Sequence, residues 1–328
     1  MIVSSAPGRC GVVGNPTDGY GGSVISSSLS ERATVRIAPA EAVTLHICGH
    51  EESIGCPDAL ALNGGFCDVA KAVMTRYPEV FDGPRFRLEA DTTVPIESGL
   101  AGSTTMLVAI LGAVLRLLDR TLPPHEIAEV AREIEFDIMR CVCGFQDQYM
   151  AVFGGLNHMD FRGKDPNSTG ERVYATVENV AIHQPNIPLL LASTGVRRHS
   201  GSVHKGFRER WIEGDPEVVG GYERAAAMAR SGKVAIMAGD WERLGRLMND
   251  NHAIQRDLGG SGDANERLIA AALEAGALGA KLAGAGKGGT IIALHQDPEL
   301  LADRLRDAGA ARIIPVKPSA GLTVDGEL

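Results

Sequence analysis

Residues 95–118 read PIESGLAGSTTMLVAILGAVLRLL, in which a loop of small residues leads directly into a helical pattern. Apolar side chains recur after the loop at helical spacing, so the pattern predicts a helix with one buried face. These side chains are Met106, Leu107, Ile110, Leu111, Val114, Leu115 and Leu118. The first N–H groups of a helix are free and the helix dipole favours negative charge, so we expect an anion site at this helix start.

The residues of this loop fit contact with a phosphate group. Gly99 and Gly102 let the backbone approach a phosphate closely. The hydroxyls of Ser103 and Thr104 can bind phosphate oxygens or a magnesium ion that bridges them. An ordinary Ser/Thr helix cap after a glycine-rich turn has the same local pattern. The stretch is not a P-loop, because no Lys follows the second Gly. Other residues of the chain are needed to distinguish a phosphate site from an ordinary helix cap.

The composition is that of an ordinary globular chain with room for a large core. The 328 residues are 44% hydrophobic and 22% charged, which allows one large domain or two lobes. A net charge of −9 argues against a nucleic-acid partner. The apolar run from Leu107 to Leu118 contains Arg116 and is too short to span a bilayer, so we expect no membrane partner.

The cysteines and the N-terminus favour a cytoplasmic location. The six cysteines form no C-x-x-C pair, so we expect reduced thiols, mostly buried, rather than a zinc site. The opening MIVSSAPGRC lacks the charged and apolar regions of a signal peptide. We therefore expect a cytoplasmic protein.

The order of strand and helix patterns predicts an α+β chain with two lobes. Strands at 2–6 and 10–13 are followed by alternation over 23–29 and 32–38, which predicts a hairpin. Further along, the pattern predicts helices over 60–77, from Pro124, over 202–251 and over 265–276, a hairpin at 152–161 that turns at Gly154 and Gly155, and a glycine-rich turn between strands within 281–294. The boundary between the lobes is expected between residues 165 and 190.

Several polar residues are candidates for chemistry, each with a structural alternative. Asp147, between Gln146 and Gln148, can act as a general base or cap a helix. Asn15 and Asp18 in a glycine-rich loop can contact a small polyol or simply form a surface loop. Glu133 and Glu135 lie off the apolar stripe of their helix, which favours a solvated face. A solvated face is also the default for a basic cluster. The cluster comprises Arg197, Arg198, His199, His204, Lys205, Arg208 and Arg210.

Three segments resemble the GHMP family of small-molecule kinases. APGRCGVVGNPTDGYGG at 6–22 looks like the first motif of the family, PIESGLAGSTT at 95–105 looks like the phosphate-binding motif, and LAGAGKGGTIIAL at 282–294 is similar to the third, glycine-rich motif. They occur in the family's order, and the likeness covers nearly the whole chain. It implies an N-terminal ribosomal S5 domain 2-like lobe at 1–175 that binds ATP, a C-terminal ferredoxin-like α/β lobe at 176–328, and a substrate site between them.

The resemblance also implies roles for individual residues. CGFQDQ at 143–148 resembles the sugar-kinase segment whose Asp is the catalytic base, which maps onto Asp147, and Arg9 matches an Arg near the reacting hydroxyl. Glu135 fits the magnesium-binding Glu, with Glu133 as the fallback. The phosphates of ATP are assigned to Gly99, Leu100, Ala101, Gly102, Ser103 and Thr104, of which Ser103 and Thr104 also hold Mg²⁺. The sugar is assigned to Asn15, Asp18, Gln148, Gly284 and Gly286. An extra anionic group on the sugar is assigned to the basic cluster, with Lys205, Arg197 and Arg198 as candidates on its charge density.

Details of the motifs resemble one branch of the family more than others. GNPTD at 14–18, GLAGS at 99–103 and FGGLNHMDF at 153–161 look most like glucuronokinases, and FGGLN and QDQY also resemble bacterial heptose-phosphate kinases. The resemblance implies an ATP-dependent, magnesium-dependent kinase that phosphorylates the anomeric hydroxyl of a sugar, with glucuronate as the leading substrate. A heptose-7-phosphate 1-kinase, another GHMP sugar kinase and a non-catalytic sugar sensor are the alternatives. The oligomeric state, including a homodimer, stays open.

Overall fold

The computed structural model describes residues 1–164, 173–182, 184, 186–196, 200–284 and 286–328, with residues 200–205 described only by their place in a helix. The helices are α1 (Asp68–Arg76), α2 (Gly102–Leu117), α3 (Pro124–Glu133), α4 (Gln146–Phe153), α5 (Ser200–Ile212), α6 (Pro216–Ala238), α7 (Trp241–Asp257), α8 (Asp263–Glu274) and α9 (Pro298–Asp307). The strands are β1 (Ile2–Val13), β2 (Ser23–Pro39), β3 (Thr44–Ile47), β4 (His50–Ser53), β5 (Phe86–Thr92), β6 (Leu156–Asp160), β7 (Thr176–Asn179), β8 (Leu189–Ser193), β9 (Gly279–Leu282), β10 (Thr290–Leu294), β11 (Arg312–Pro315) and β12 (Thr323–Asp325).

These elements form the α+β fold that the sequence predicted, and their strands make two sheets. The first sheet runs β12-β1-β2-β5-β3-β4, with β6 added to β2 and β7 to β6. Its pairings are antiparallel except for β3 with β5. The second sheet is antiparallel in the order β11-β8-β10-β9. Because β7 and β12 join the first sheet, that sheet draws strands from both sides of residue 175, and the division at 175/176 stays a prediction.

The core is built in layers on these sheets. The apolar face of α2 packs against the first sheet in a cluster with α1, α3 and α4. Within α2, Leu107, Ile110, Leu111 and Val114 have no exposed surface, so each contributes roughly 1.5–3 kcal/mol of burial free energy. A second apolar cluster joins the first sheet to α6, α7 and the inner face of the second sheet, and a third lies under α8 and α9. The start of α2 is thereby fixed on a rigid base.

Two predicted hairpins are wrong, and both corrections have a physical cause. Residues 23–39 form one long strand that pairs with β1 on both sides of a bulge. Arg9 pairs with Ser28 and Pro7 with Arg32, so three residues of β2 lie opposite one residue of β1. The segment at 152–161 is not a hairpin: α4 continues to Phe153, and Gly154 and Gly155 then adopt positive φ before β6. The predicted helix at 60–77 is shorter than expected and begins only at Asp68.

Candidate active site

A cavity of about 1040 Å³ opens where the loop before α2, the loop after β1 and the start of α4 meet. Its wall includes Asn15 and Asp18 from the second loop, Asp147 from α4, and Gly284 from the segment after β9. Ligand pockets usually measure roughly 300–1,000 Å³, so this cavity has room for a nucleotide and a second small molecule. It is therefore the candidate active site.

The loop before α2 has an unusual backbone at the cavity wall. Glu97 and Ala101 adopt left-handed conformations with φ of 54° and 64°, and Gly99 has a φ of 79°. For residues other than Gly this conformation costs roughly 1–2 kcal/mol, and such strain concentrates at functional sites. The loop ends at Gly102, where α2 begins, so its backbone wraps the positive end of the helix dipole. A helix N-terminus that is open to a cavity is the arrangement an anion site requires, and phosphate binding here stays a prediction.

Arg9 and Asp147 form an ion pair on the cavity wall although they are 138 residues apart in the chain. Arg9 Nε and Nη2 both lie 2.7 Å from Asp147 Oδ1, and Arg9 Nη1 donates to the carbonyl oxygen of Gly99 at 2.7 Å. Within the described residues Oδ2 of Asp147 accepts no hydrogen bond, and the side chain is 29% exposed. Arg9 therefore ties the carboxylate to the loop before α2 and leaves one carboxylate oxygen available.

The first turn of α4, which carries Asp147, is held by two side chains from other elements. Asp18 Oδ2 accepts hydrogen bonds from the backbone N–H groups of Phe145 and Gln146 at 2.8 and 2.9 Å, and Arg132 Nε donates to the carbonyl of Gly144 at 3.0 Å. A Cβ at Gly144 would lie only 1.9 Å from Asp18 Oδ2, so this contact requires Gly. Asp18 thus fixes α4 as well as lining the cavity.

Glu135 is buried at the cavity, contrary to the solvated helix face expected from helical periodicity. A π-helical turn at Ile134–Ile138 follows α3, marked by a hydrogen bond from Met139 N to Ile134 O at 2.9 Å. An i→i+5 turn shifts the phase of the helix, and such turns are frequent at functional sites. Thr104 Oγ1 donates to Glu135 Oε1 at 2.8 Å, and the amide of Gln148 donates to Oε2.

The surroundings of Glu135 favour its neutral form in the absence of a cation. Burial raises the pKa of Glu135 to about 7; the hydrogen bonds from Thr104 and Gln148 oppose this rise, and the negative charge of Asp147 adds to it. A bound cation would supply the missing positive charge. Mg²⁺ prefers oxygen ligands and usually takes one or two carboxylates together with substrate phosphates. In the described part of the chain no group of three or more His, Cys, Asp or Glu could hold a metal by itself. Glu135, with the hydroxyls of Thr104 and Ser103 on the same wall, therefore fits a magnesium ion that arrives with a phosphate.

Asn15 is held from the second sheet by a residue that sequence reasoning missed. Lys281 Nζ lies 2.9 Å from Asn15 Oδ1, and the Lys281 side chain is fully buried. Asn251 Nδ2 donates to the backbone carbonyl of Asn15 at 3.2 Å, while Asn251 Oδ1 accepts from the N–H of Gly14 at 2.8 Å. Two side chains of the second half of the chain thus fix the loop after β1.

Comparison with known proteins places the chain in a family. The model described as GHMP kinases N terminal domain matches residues 64–155, and the model described as GHMP kinases C terminal matches residues 233–311. The chain belongs to the GHMP kinase family. The order of the three glycine-rich motifs and the two-sheet fold agree with this membership, so the resemblance inferred from the sequence is confirmed.

Individual relatives of this GHMP kinase extend over nearly its whole length. Glucuronokinase 1 of Arabidopsis thaliana is 26% identical, with 98% of this chain and 93% of the relative covered. The D-glycero-alpha-D-manno-heptose 7-phosphate kinase of Campylobacter jejuni is 27% identical over 88% of this chain and 87% of the relative. The structure of Lactococcus lactis galactokinase complexed with galactose superposes with a TM-score of 0.78 at 20% identity, covering 98% and 95% of the two chains. That structural likeness supports the fold alone.

Most residues proposed for the site of this GHMP kinase lie on the cavity wall. They are Arg9, Asn15, Asp18, Gly99, Ala101, Gly102, Ser103, Thr104, Glu135, Asp147 and Gly284. Three others lie behind it: the Leu100 side chain is in the core and its carbonyl accepts from Arg9 N, Gln148 bonds to Glu135, and Gly286 packs on the Gly260 carbonyl. Arg197 and the Lys205 side chain are outside the described residues.

The cavity also contains residues that were not singled out for it from the sequence. Tyr20 and Arg208 line it, and Lys281 acts on it through Asn15. Arg208 had a signal, since it belongs to the basic cluster, but nothing in its spacing distinguished it from its neighbours. Lys281 had none, because one Lys before a glycine-rich turn is ordinary. Elsewhere, no helix in the described ranges has the length and apolarity needed to cross a bilayer.

Proposed function

We propose that this GHMP kinase transfers the γ-phosphoryl group of ATP to the anomeric hydroxyl of a sugar, with glucuronate as the leading acceptor. One observation carries the proposal: Asp147, paired with Arg9, shares a cavity wall with the N-terminus of α2 and with Glu135. A base for the acceptor and an anion site for the phosphates are thus within one cavity. Phosphoryl transfer needs mainly such positioning and charge stabilisation.

The reaction follows from the roles of these side chains. Asp147 accepts the proton of the anomeric hydroxyl, whose oxygen then bonds to the γ-phosphorus while the bond to the β-phosphate oxygen breaks and ADP leaves. An anomeric hydroxyl is more acidic than an ordinary alcohol, so a carboxylate is a sufficient base. Arg9 offsets negative charge that develops beside Asp147. The backbone from Gly99 to Ser103 binds the phosphates at the positive end of α2.

Magnesium has a natural place in this arrangement. Glu135, Thr104 and Ser103 would hold the ion on the cavity wall beside the phosphate loop. When bound, Mg²⁺ neutralises charge on the β- and γ-phosphates. Gln148 would act behind it, since its amide keeps Glu135 oriented toward the cavity.

The division into two lobes also belongs to this proposal. Residues 1–175 supply most of the cavity wall, and residues 176–328 supply Arg208 and Gly284, which supports a substrate site between the lobes. A cytoplasmic location and a homodimer stay predictions.

The identity of the acceptor is supported by the relatives and has one alternative. Two Arabidopsis thaliana proteins, one named glucuronokinase and one named probable glucuronokinase, match 98% and 95% of the chain at 26% identity. A heptose 7-phosphate kinase matches 88% of it, which makes a sugar phosphate the second candidate. A non-catalytic sensor would not need Arg9, Asp147 and Glu135 together in one cavity, so an enzyme is favoured.

An ADP-release screen tests the proposal. The purified protein is incubated with Mg²⁺, ATP and one of glucuronate, galacturonate, galactose, fucose or heptose 7-phosphate. We expect ADP release with glucuronate, and a ³¹P spectrum that shows the phosphate coupled to the anomeric proton. ADP release without an anomeric phosphate would refute the position of transfer. Sugar binding without ADP release would favour a sensor.

A further inference from the structure

A positively charged side chain on the cavity wall has no role in the proposed reaction. Arg208, on α5, shares the wall with Asp18 and Tyr20. Residues two apart on a helix do not face each other. Arg210 accordingly bonds elsewhere, with its Nε 2.7 Å from Asp215 Oδ2 at the start of α6, whereas Arg208 reaches the cavity.

Aromatic contacts fix Arg208 relative to the loop after β1. The Tyr20 ring packs against Trp211 and Tyr222, with centroid distances of 5.1 and 4.9 Å, and so joins that loop to α5 and α6. The guanidinium carbon of Arg208 lies 5.5 Å from the centroid of the Phe136 ring, in cation–π geometry. Arg208 is therefore fixed at the cavity by contacts with the loop that carries Asp18 and with the π-helical turn that carries Glu135.

The acidic and phenolic groups near Arg208 do not prevent an anion from binding beside it. Asp18 Oδ2 is bonded to two backbone N–H groups of α4, and Asp147 is paired with Arg9. Burial raises the pKa of Tyr20, the charge of Asp18 raises it further, and Arg208 opposes the rise, so Tyr20 keeps its proton at neutral pH. The planar fork of an Arg matches a carboxylate or a phosphate group.

We propose that Arg208 binds an anionic substituent of the acceptor sugar, a carboxylate or a phosphate ester on a carbon away from the reacting hydroxyl. This inference rests on the proposed sugar kinase function and deepens it. Asp18 then faces the neutral hydroxyls of the sugar, Asp147 the reacting hydroxyl, and Arg208 the charged end. Of the basic cluster in the sequence, Arg208 is the member that the described part of the structure places on the cavity wall.

Substitution of Arg208 with matched pairs of sugars tests the inference. Arg208→Gln should raise KM for glucuronate and galacturonate about 10- to 100-fold, because a hydrogen-bonded charge is lost, and leave KM for glucose and galactose unchanged. Arg208→Lys should recover part of the loss, since it keeps the charge but not the fork. Arg224→Gln, which removes an exposed Arg on α6, is the control and should match wild type. Glucose 6-phosphate and heptose 7-phosphate in the same series distinguish a phosphate from a carboxylate.

Equilibrium binding separates this inference from the proposed activity. Calorimetric titration with glucuronate and with the sugar phosphates, without ATP, measures the anion site whether or not turnover occurs. Arg208-dependent binding without ADP release supports the anion site and refutes the kinase. The role of Arg208 is refuted if ADP is released and Arg208→Gln raises KM equally for charged and neutral sugars. It is also refuted if Arg140→Gln weakens binding of the charged sugars and Arg208→Gln does not. Arg140 is the comparison because it is an exposed Arg on the same wall.

Discussion

The side-chain nitrogen of Lys281 lies 2.9 Å from the amide oxygen of Asn15, and no part of the Lys281 side chain is exposed. The pair connects β9 in the second sheet to the loop after β1 in the first. Burial lowers the pKa of Lys281 to about 7, an effect that nearby Cys10 opposes and Arg9 reinforces. Folding therefore places a lysine with a strongly lowered pKa behind the loop that carries Asn15 on the cavity wall.

This pair makes the folding stability depend on pH. The pKa of Lys281 is about 7 in the folded chain and about 10.4 when unfolded, so the unfolded chain binds more protons between these values. Stability should rise with pH from about 7 to about 10, with a slope approaching roughly 1.4 kcal/mol per pH unit. Lys281→Met should lose this slope in urea unfolding curves. Lys287→Met, which removes an exposed Lys after β9, is the control and should keep it. If the free energy of unfolding has the same slope against pH in wild type and in Lys281→Met, Lys281 stays protonated in the folded chain over this range.

Asp147→Asn should slow turnover strongly and spare ATP binding. The amide cannot take a proton, and loss of a general base slows the reaction about 10²- to 10⁴-fold. The dissociation constant for ATP should change little, because residue 147 lies outside the loop before α2 to which the phosphates are assigned. Asp250→Asn, at an exposed position of α7, should behave as wild type. Near-normal turnover in Asp147→Asn would place the base elsewhere.

Much of the fold was predictable because it depends on local periodicity. The stripe from Met106 to Leu118 predicted α2, which is confirmed, whereas the anion site expected at the start of α2 stays a prediction. The predicted hairpin at 23–38 is wrong for a long-range reason: β2 continues through Ser30, because it pairs with β1 on both sides of a bulge that lies in β2. A sequence window contains no information on a partner strand.

The predicted site likewise combines residues that the sequence could indicate with contacts that only the fold brings together. The resemblance to a family selected Asp147 and Glu135, but local reasoning favoured a solvated Glu135, because periodicity assumes a regular helix and the π-helical turn breaks it. The pairing of Arg9 with Asp147 depends on a separation of 138 residues. Lys281 becomes noticeable only when the fold buries it against Asn15.

Glu135→Gln should weaken magnesium binding and remove its pH dependence. In the wild type the pKa of Glu135 is about 7, so Mg²⁺ must displace a proton below that pH, and its apparent affinity should rise up to about pH 7 and then level off. The Gln variant has no proton to release, so it should need several-fold more Mg²⁺ and show a flat profile. Titration of Mg²⁺ with ATP present, across the range from mildly acidic to mildly basic pH, measures both. Glu133→Gln is the control, because Glu133 is not on the cavity wall. A loss in Glu133→Gln instead would move the metal role to that residue.

Gly284→Ala should slow turnover by acting on Arg9 from a distance. A Cβ at residue 284 would lie 2.7 Å from the carbonyl oxygen of Gly99, which is the oxygen that accepts from Arg9 Nη1. The two backbones must therefore separate, and Arg9 must shift with Asp147. Displacements of about 1 Å near the chemistry can slow a reaction on the order of 100-fold, so we expect turnover to fall about 10- to 100-fold while KM for ATP changes less. Gly55→Ala adds a methyl group with no atom within 4 Å and should change neither turnover nor melting temperature. If both variants turn over at the wild-type rate, the contact between Gly284 and the loop before α2 does not position Arg9.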